Sequence, residues 1–86
     1  MLTIKIHITH AGETGTATFQ VHHQFDCASP EFSGHSSIKE IVDSIIAEGS
    51  MGSHVINPHT LRDILTVRGF EISTTYTGKF DQIPDL

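Results

Sequence analysis

The chain has 86 residues, of which 37% are hydrophobic and 17% are charged. A chain of this size supports one core, and its composition excludes both a disordered polyelectrolyte and a continuous apolar span of about 18 residues that could cross a membrane. The formal net charge is −5 with the seven histidines neutral, which disfavours a surface built to bind nucleic-acid phosphates.

The chain carries a single cysteine, Cys27, and its first residues, MLTIKIHITH, alternate between apolar and polar side chains. One cysteine excludes an internal disulfide, and an alternating start is unlike the continuous apolar block of a secretory signal. We therefore expect a cytoplasmic protein that forms a single domain over residues 1–86, with residues 78–86 as a loosely packed tail.

The chain is expected to begin with a β-hairpin. In LTIKIHIT and TATFQVHHQF, apolar residues occupy every second position, which is the period of a strand with one buried face. The intervening HAGETG offers two glycines for the turn. Placing the apolar side chains on one face predicts three opposed pairs: Ile8 with Ala17, Ile6 with Phe19, and Ile4 with Val21.

Residues 26–35, DCASPEFSGH, have no regular period. They contain Pro30 and Gly34, so they are predicted to form a loop. We expect the side chain of Phe32 in this loop to fold back onto the core.

The next segment, SSIKEIVDSIIAEG, places its apolar residues at helical spacing, which predicts a helix over residues 37–48. Ser37 and Glu40 have the spacing of a capping box, in which each side chain accepts a hydrogen bond from the other's main chain. Gly49 has the position of the glycine that commonly ends a helix.

A second, shorter helix is predicted between Asn57, which suits an N-cap, and Gly69, which ends the pattern. The segment GFEISTTYT then alternates again and predicts a third strand. The resulting order is β-β-α-α-β. This is an α+β fold in which two helices cover one face of a three-stranded sheet made of the hairpin and the C-terminal strand.

Four residues of metal-ligand type, His22, His23, Asp26 and Cys27, lie within six positions of each other. Neighbouring residues of a strand point to opposite faces, so these side chains do not converge on one ion, and we predict no metal site and no cofactor. Cys27 and His35 have the residue types of a nucleophile and its base, but no nucleophile turn or orienting acid accompanies them. We therefore predict no catalytic residues and favour a non-enzymatic protein.

The segment between the helices, EGSMGSHVINP, contains Gly49, Ser50, Met51 and Gly52 in a GxxG pattern. A phosphate-binding P-loop is excluded because the segment has no lysine and follows a helix. With the order β-β-α-α-β over about residues 16–76, a GxxG between two helices resembles the type II KH domain. The resemblance implies that this loop clamps the backbone of a single-stranded nucleic acid, with Arg62 assisting.

The first predicted helix carries Glu40, Asp43 and Glu48 on its outer face, and Glu31 lies nearby in the sequence. We expect an interaction protein that binds a basic protein surface through these four residues, because complementary charge speeds encounter and selects partners. A specific form is an accessory or inhibitor protein of the kind encoded by phages and mobile elements. The KH-like nucleic-acid-binding domain is the alternative. Open sheet edges also predict pairing into a homodimer, and no feature predicts membrane binding.

Overall fold

The computed structural model of the chain describes residues 1–23, 26–27, 30–49 and 56–78. The fold is α+β, as predicted, with an antiparallel sheet and two helices. Neither of the two described helices is both long and apolar enough to cross a membrane. The predicted tail after residue 78 lies outside the described residues. The elements are β1 (Leu2–His10), β2 (Glu13–His23), β3 (Asp26–Cys27), β4 (Glu31–Gly34), α1 (Ser36–Gly49), α2 (Pro58–Val67) and β5 (Glu71–Gly78).

Among the described residues, the sheet is four strand positions wide, one more than predicted. β1 is central and pairs antiparallel with β2 on one side and β5 on the other. β3 and β4 both pair antiparallel with β2, so they share the outer position beyond it. The prediction of a loop over residues 26–35 is therefore wrong for β3 and β4. Phe32 in β4 does pack against the core, as predicted, and it lies opposite Ala17.

The hairpin turn is tighter than the sequence suggested, because Ala11 and Gly12 alone form it, with φ of 53° and 80°. Two consecutive residues with positive φ make a type I′ turn, whose twist matches that of the flanking strands. The tight turn shifts the pairing by two residues from the predicted register. An even shift leaves every side chain on its predicted face. The observed pairs are Leu2 with Val21, Ile4 with Phe19, Ile6 with Ala17 and Ile8 with Gly15.

The two helices and one face of the sheet bury their apolar side chains in a common core. α1 packs over β2 and β4, and α2 packs over β1 and β5. The predicted apolar faces of the hairpin and of both helices all point into this core. Its buried members are Ile4, Ile6, Ile8, Ala17, Phe19, Val21, Ile38, Val42, Ile45, Ile56, Leu61 and Leu65.

Helix α1 begins one residue earlier than predicted, and its cap differs from the predicted capping box. The Nδ1 atom of His35 accepts a hydrogen bond from the main-chain N–H of Ser37 at 3.2 Å, so His35 is the N-cap. Ser37 therefore lies inside the first turn, where its hydroxyl donates to the carboxylate of Glu13. The capping box predicted for Ser37 and Glu40 is wrong because the N-cap is His35, two residues before Ser37.

Helix α2 has the predicted start and end. The Oδ1 atom of Asn57 accepts a hydrogen bond from the N–H of His59 at 2.8 Å, which confirms the predicted N-cap. At the other end Gly69 has φ of 90°, and the N–H of Phe70 donates to the oxygen of Leu65 at 3.1 Å. These features form a Schellman motif, which turns the chain directly into β5.

Candidate functional site

The structure separates the four acidic residues that lie close together in the sequence. Glu40, Asp43 and Glu48 are exposed on α1. Glu31 lies in β4 next to Phe32, and successive strand residues point to opposite faces, so Glu31 is on the sheet face opposite the helices. The predicted acidic site is therefore confined to α1.

Two of the three acidic residues of α1 have cationic neighbours. The Nζ atom of Lys39 lies 2.6 Å from Oδ2 of Asp43, and Nη2 of Arg68 lies 4.0 Å from Oε2 of Glu48. Exposed pairs of this kind contribute at most about 1 kcal/mol to stability, but they reduce the net charge that the helix presents. Glu40 has no cationic partner among the described residues. It is therefore the least compensated negative charge on α1.

The basic side chains of the helices balance most of their carboxylates, because Lys39, Arg62 and Arg68 each lie beside an acidic residue. Arg62, expected to assist a nucleic-acid loop, contacts Oδ1 of Asp63 through Nε and Nη2 at 3.2 and 3.1 Å. Lys5 lies in β1 opposite Thr18, on the sheet face away from the helices. The two helices and the cap of α2 thus carry four carboxylates against three cations, a net charge of −1, and their acidic surface is limited to the face of α1 around Glu40.

An apolar recess lies beside the acidic surface. It has a volume of about 260 Å³ and is lined by Asp63, Ile64, Val67 and Arg68 of α2 and its cap. The side chain of Val67 is 88% exposed. Arg68 also contacts Glu48, so the recess adjoins the C-terminal end of the acidic helix face. An apolar centre bordered by charged groups is typical of protein-binding surfaces.

Sequence reasoning missed Val67 as a surface residue. Helical spacing from Asn57 onwards predicts an apolar stripe of Leu61, Ile64 and Leu65, continued by Arg68, and Leu61 and Leu65 are fully buried. Val67 lies about 120° around the helix from Leu61, outside that stripe, because each residue turns the helix by about 100°. An apolar residue that falls off the buried stripe is the signal that could have identified it.

A polar cluster connects β2 to the start of α1. The Nδ1 atom of His35 lies 2.9 Å from Oγ of Ser37 and 3.3 Å from Oε2 of Glu13. A Ser-His-acid triad requires the serine and the acid on different ring nitrogens, whereas here both contact Nδ1. The cluster therefore positions α1 on the hairpin and does not activate the serine. Cys27, which the sequence paired with His35, has its side chain outside the described residues.

The sheet face opposite the helices is rich in hydroxyl groups around His7. The Nδ1 and Nε2 atoms of His7 each lie 3.2 Å from a threonine hydroxyl, those of Thr16 and Thr75 respectively. The imidazole thus connects β1 to both neighbouring strands. Its two ring nitrogens are occupied within the sheet, so this histidine is a structural element of the face.

The side chains weighed as metal ligands, His22, His23, Asp26 and Cys27, lie outside the described part of the chain. Within the described part, no three side chains of histidine, cysteine, aspartate or glutamate come together. The described residues therefore provide no metal centre from which a reaction could be derived.

The predicted nucleic-acid loop falls mostly outside the described segments, since Ser50, Met51 and Gly52 are not among them. Gly49 is described as the last residue of α1, and a Cβ atom there would collide with the side chain of Ile56. Close packing against Ile56 thus accounts for a glycine at this position without a ligand.

The fold defines the chain as an α+β protein with two helices on one face of an antiparallel sheet. No protein-family model, no curated protein and no solved structure matches this chain.

Proposed function

We propose that the chain is a non-enzymatic interaction protein that binds a basic protein surface through the helix side of the molecule. The observation that supports this most directly is the apolar recess at Val67 beside the acidic face of α1. Neither feature suffices alone, because acidic helix faces are usually solvated surface and single exposed apolar residues are common. Their adjacency supplies both long-range attraction and a place for an anchoring side chain.

The acidic face sets the charge of the partner. Glu40 has no cationic neighbour in the described segments, while Asp43 shares its charge with Lys39 and Glu48 with Arg68. A partner arginine or lysine gains most from Glu40, because the other two carboxylates already interact with cations. Attraction of this kind raises the association rate and weakens as salt increases.

The recess sets the shape of the partner. Its lining is almost entirely apolar and includes the exposed side chain of Val67. Burying apolar surface contributes about 25 cal/mol per Å², so one partner side chain that fills the recess can dominate the affinity. We expect the partner to present one aliphatic or aromatic side chain with basic residues around it.

The specific form that we propose is an accessory or inhibitor protein that occupies the basic groove of a nucleic-acid-binding protein. The acidic net charge of the chain, −5 on 86 residues, supports this form, because an acidic protein is attracted to the same basic groove as a polyanion. The partner is defined here by its chemistry: a basic groove with an apolar position inside it.

A titration followed by amide NMR tests the proposal. The probe is a short lysine- and arginine-rich peptide with one central leucine, added at low and at high salt. We expect shifts at Glu40, Glu48 and Val67, with weaker binding at high salt. Glu40→Lys should weaken binding about tenfold, and Asp43→Lys should weaken it less because Lys39 already offsets Asp43.

Glu71→Lys is the matched control, because it makes the same charge change on β5, on the opposite side of the sheet. Equal weakening by Glu71→Lys and Glu40→Lys would show that only net charge matters and would contradict a defined surface. A parallel titration with single-stranded RNA addresses the KH-like alternative. Shifts confined to Gly49, Gly52 and Arg62 with RNA, and none with the peptide, would replace the present proposal by that alternative.

A further inference from the structure

The two outer edges of the sheet differ in how well they are protected against pairing. Beyond β2, the edge is formed by the short strands β3 and β4, with a shift of register between Val21 and His23. Short and irregular strands make poor templates for further pairing. At the other edge, β5 pairs with β1 over eight successive positions from Glu71 to Gly78 without interruption.

The composition of β5 also lacks the usual protection of an edge strand. Its sequence, EISTTYTG, contains no proline and no lysine, and Glu71 is its only charged residue. Edge strands that remain unpaired commonly carry lysine, proline or a bulge. β5 instead consists mostly of β-branched and aromatic residues, which favour strand pairing. Tyr76 within it is 50% exposed.

We propose that β5 pairs antiparallel with β5 of a second copy of this chain, forming a continuous sheet across a twofold axis. Antiparallel pairing of identical edges requires an axis perpendicular to the sheet, which keeps both sets of helices on the same face. In a regular antiparallel pair, directly opposed residues point to the same face of the sheet. The twofold axis therefore lies midway between two copies of one residue, which opposes itself. This edge shares no residue with the acidic face of α1 or with the recess on α2.

Thr74 is the position of the axis that best matches the side chains. With Thr74 facing its own copy, Ile72 lies opposite Tyr76 of the second molecule on the helix side, and this contact occurs twice. Ile72 is half-buried and Tyr76 is half-exposed in the single chain, so each gains cover. On the other face Glu71 lies opposite Thr77, which avoids opposing like charges.

Charge substitution at two exposed positions of β5 tests this pairing by sedimentation velocity of the full chain. The register places Ser73 opposite Thr75 of the second copy. Ser73→Lys with Thr75→Lys therefore opposes lysines twice and should raise the dimer dissociation constant about tenfold. Ser73→Lys with Thr75→Glu opposes lysine to glutamate and should leave dimerisation intact. A chain that sediments as a monomer from micromolar to millimolar concentration, or equal effects of the two variants, would overturn the proposal.

Disulfide formation tests the register independently, in a chain with Cys27→Ser. Thr74→Cys places two thiols on opposed Cα atoms about 5 Å apart, within the range of a disulfide. Thr77→Cys is the control, because its two copies would lie about 20 Å apart at 3.3 Å per residue. We expect rapid cross-linking at Thr74 and none at Thr77. Equal cross-linking at both positions, or none at Thr74, would overturn this register.

Discussion

Gly15 shows how the absence of one side chain allows β4 to join the sheet. It lies in β2 opposite Gly34 of β4 and opposite Ile8 of β1. A Cβ atom on Gly15 would lie 2.9 Å from Cε2 of Phe32 and 3.0 Å from Cγ2 of Ile38. The Phe32 ring therefore occupies the space that a side chain at position 15 would take. The glycine is needed here for packing and not for a turn.

Gly15→Ala should destabilise the protein by about 1–3 kcal/mol, the usual cost of forcing extra volume into a packed core. The measurement is the free energy of unfolding from urea denaturation. Phe32→Leu provides the control, because a smaller side chain leaves room for the added methyl group. In the Phe32→Leu chain, Gly15→Ala should lower the free energy of unfolding by less than it does in the chain that retains Phe32. Strict additivity of the two substitutions would contradict this explanation of Gly15.

At the scale of single elements, α2 depends on a cap that its own sequence supplies. Asn57→Ala removes the side-chain acceptor for the N–H of His59 and should cost about 1 kcal/mol of stability. Asn57→Asp is the matched control, because aspartate also accepts this hydrogen bond and should retain most of the stability. Urea denaturation of both variants gives the comparison. Equal losses in both would mean that the hydrogen bond to the N–H of His59 is not what stabilises this helix start.

The elements that the sequence predicted well are those specified by local signals. Helix α2 has its polar start, its apolar stripe and its terminal glycine within one short segment, and all three are confirmed. β4 was missed because its local pattern is irregular. It forms a strand through pairing with residues 15–18 of β2, which are distant in sequence. The hairpin register was missed because it depends on Ala11 taking a positive φ, which alanine rarely adopts.

The candidate site shows the same difference between features that local sequence specifies and features that depend on distant parts of the chain. Helical periodicity correctly placed Glu40, Asp43 and Glu48 on the exposed side of α1. It could not place Glu31, whose face is decided by the pairing of β4 with β2. The ion pair between Glu48 and Arg68 joins two elements, so no single-helix pattern reveals it. Periodicity therefore predicts exposure, whereas the charge that a surface presents depends on tertiary neighbours.

For the whole molecule, the distribution of polar and apolar surface separates two modes of association. The helix side combines the unpaired carboxylate of Glu40 on α1 with the recess at Val67 on α2, which suits a different, basic protein. The edge at β5 is nearly uncharged and suits a second copy of the chain. Because α1 packs over β2 and β4, away from β5, a dimer formed through β5 leaves the acidic faces of both copies of α1 exposed. Such a dimer would present two binding surfaces to one partner, which raises its apparent affinity if both can engage.

The small size of the molecule makes its central strand decisive for stability. Natural domains gain roughly 0.05–0.15 kcal/mol per residue, so a chain of this length has about 4–13 kcal/mol in total. Ile6 lies in β1 between Ala17 and Thr74 and is fully buried. Ile6→Ala should cost about 2–5 kcal/mol, because it loses buried surface and leaves a cavity under both helices. A loss of this size is a large fraction of the total stability.

Val67→Ala is the matched control, because it also shortens an aliphatic side chain but at a position that is 88% exposed. Its effect should stay within about 0.5 kcal/mol. The difference is measured by urea denaturation of both variants. The comparison requires that the m-value, the slope of the unfolding free energy against urea concentration, is the same in both. Equal effects would contradict the burial assigned to the two residues. A stable Val67→Ala variant that binds the basic peptide more weakly would then attribute that loss to the recess, since the fold itself would be intact.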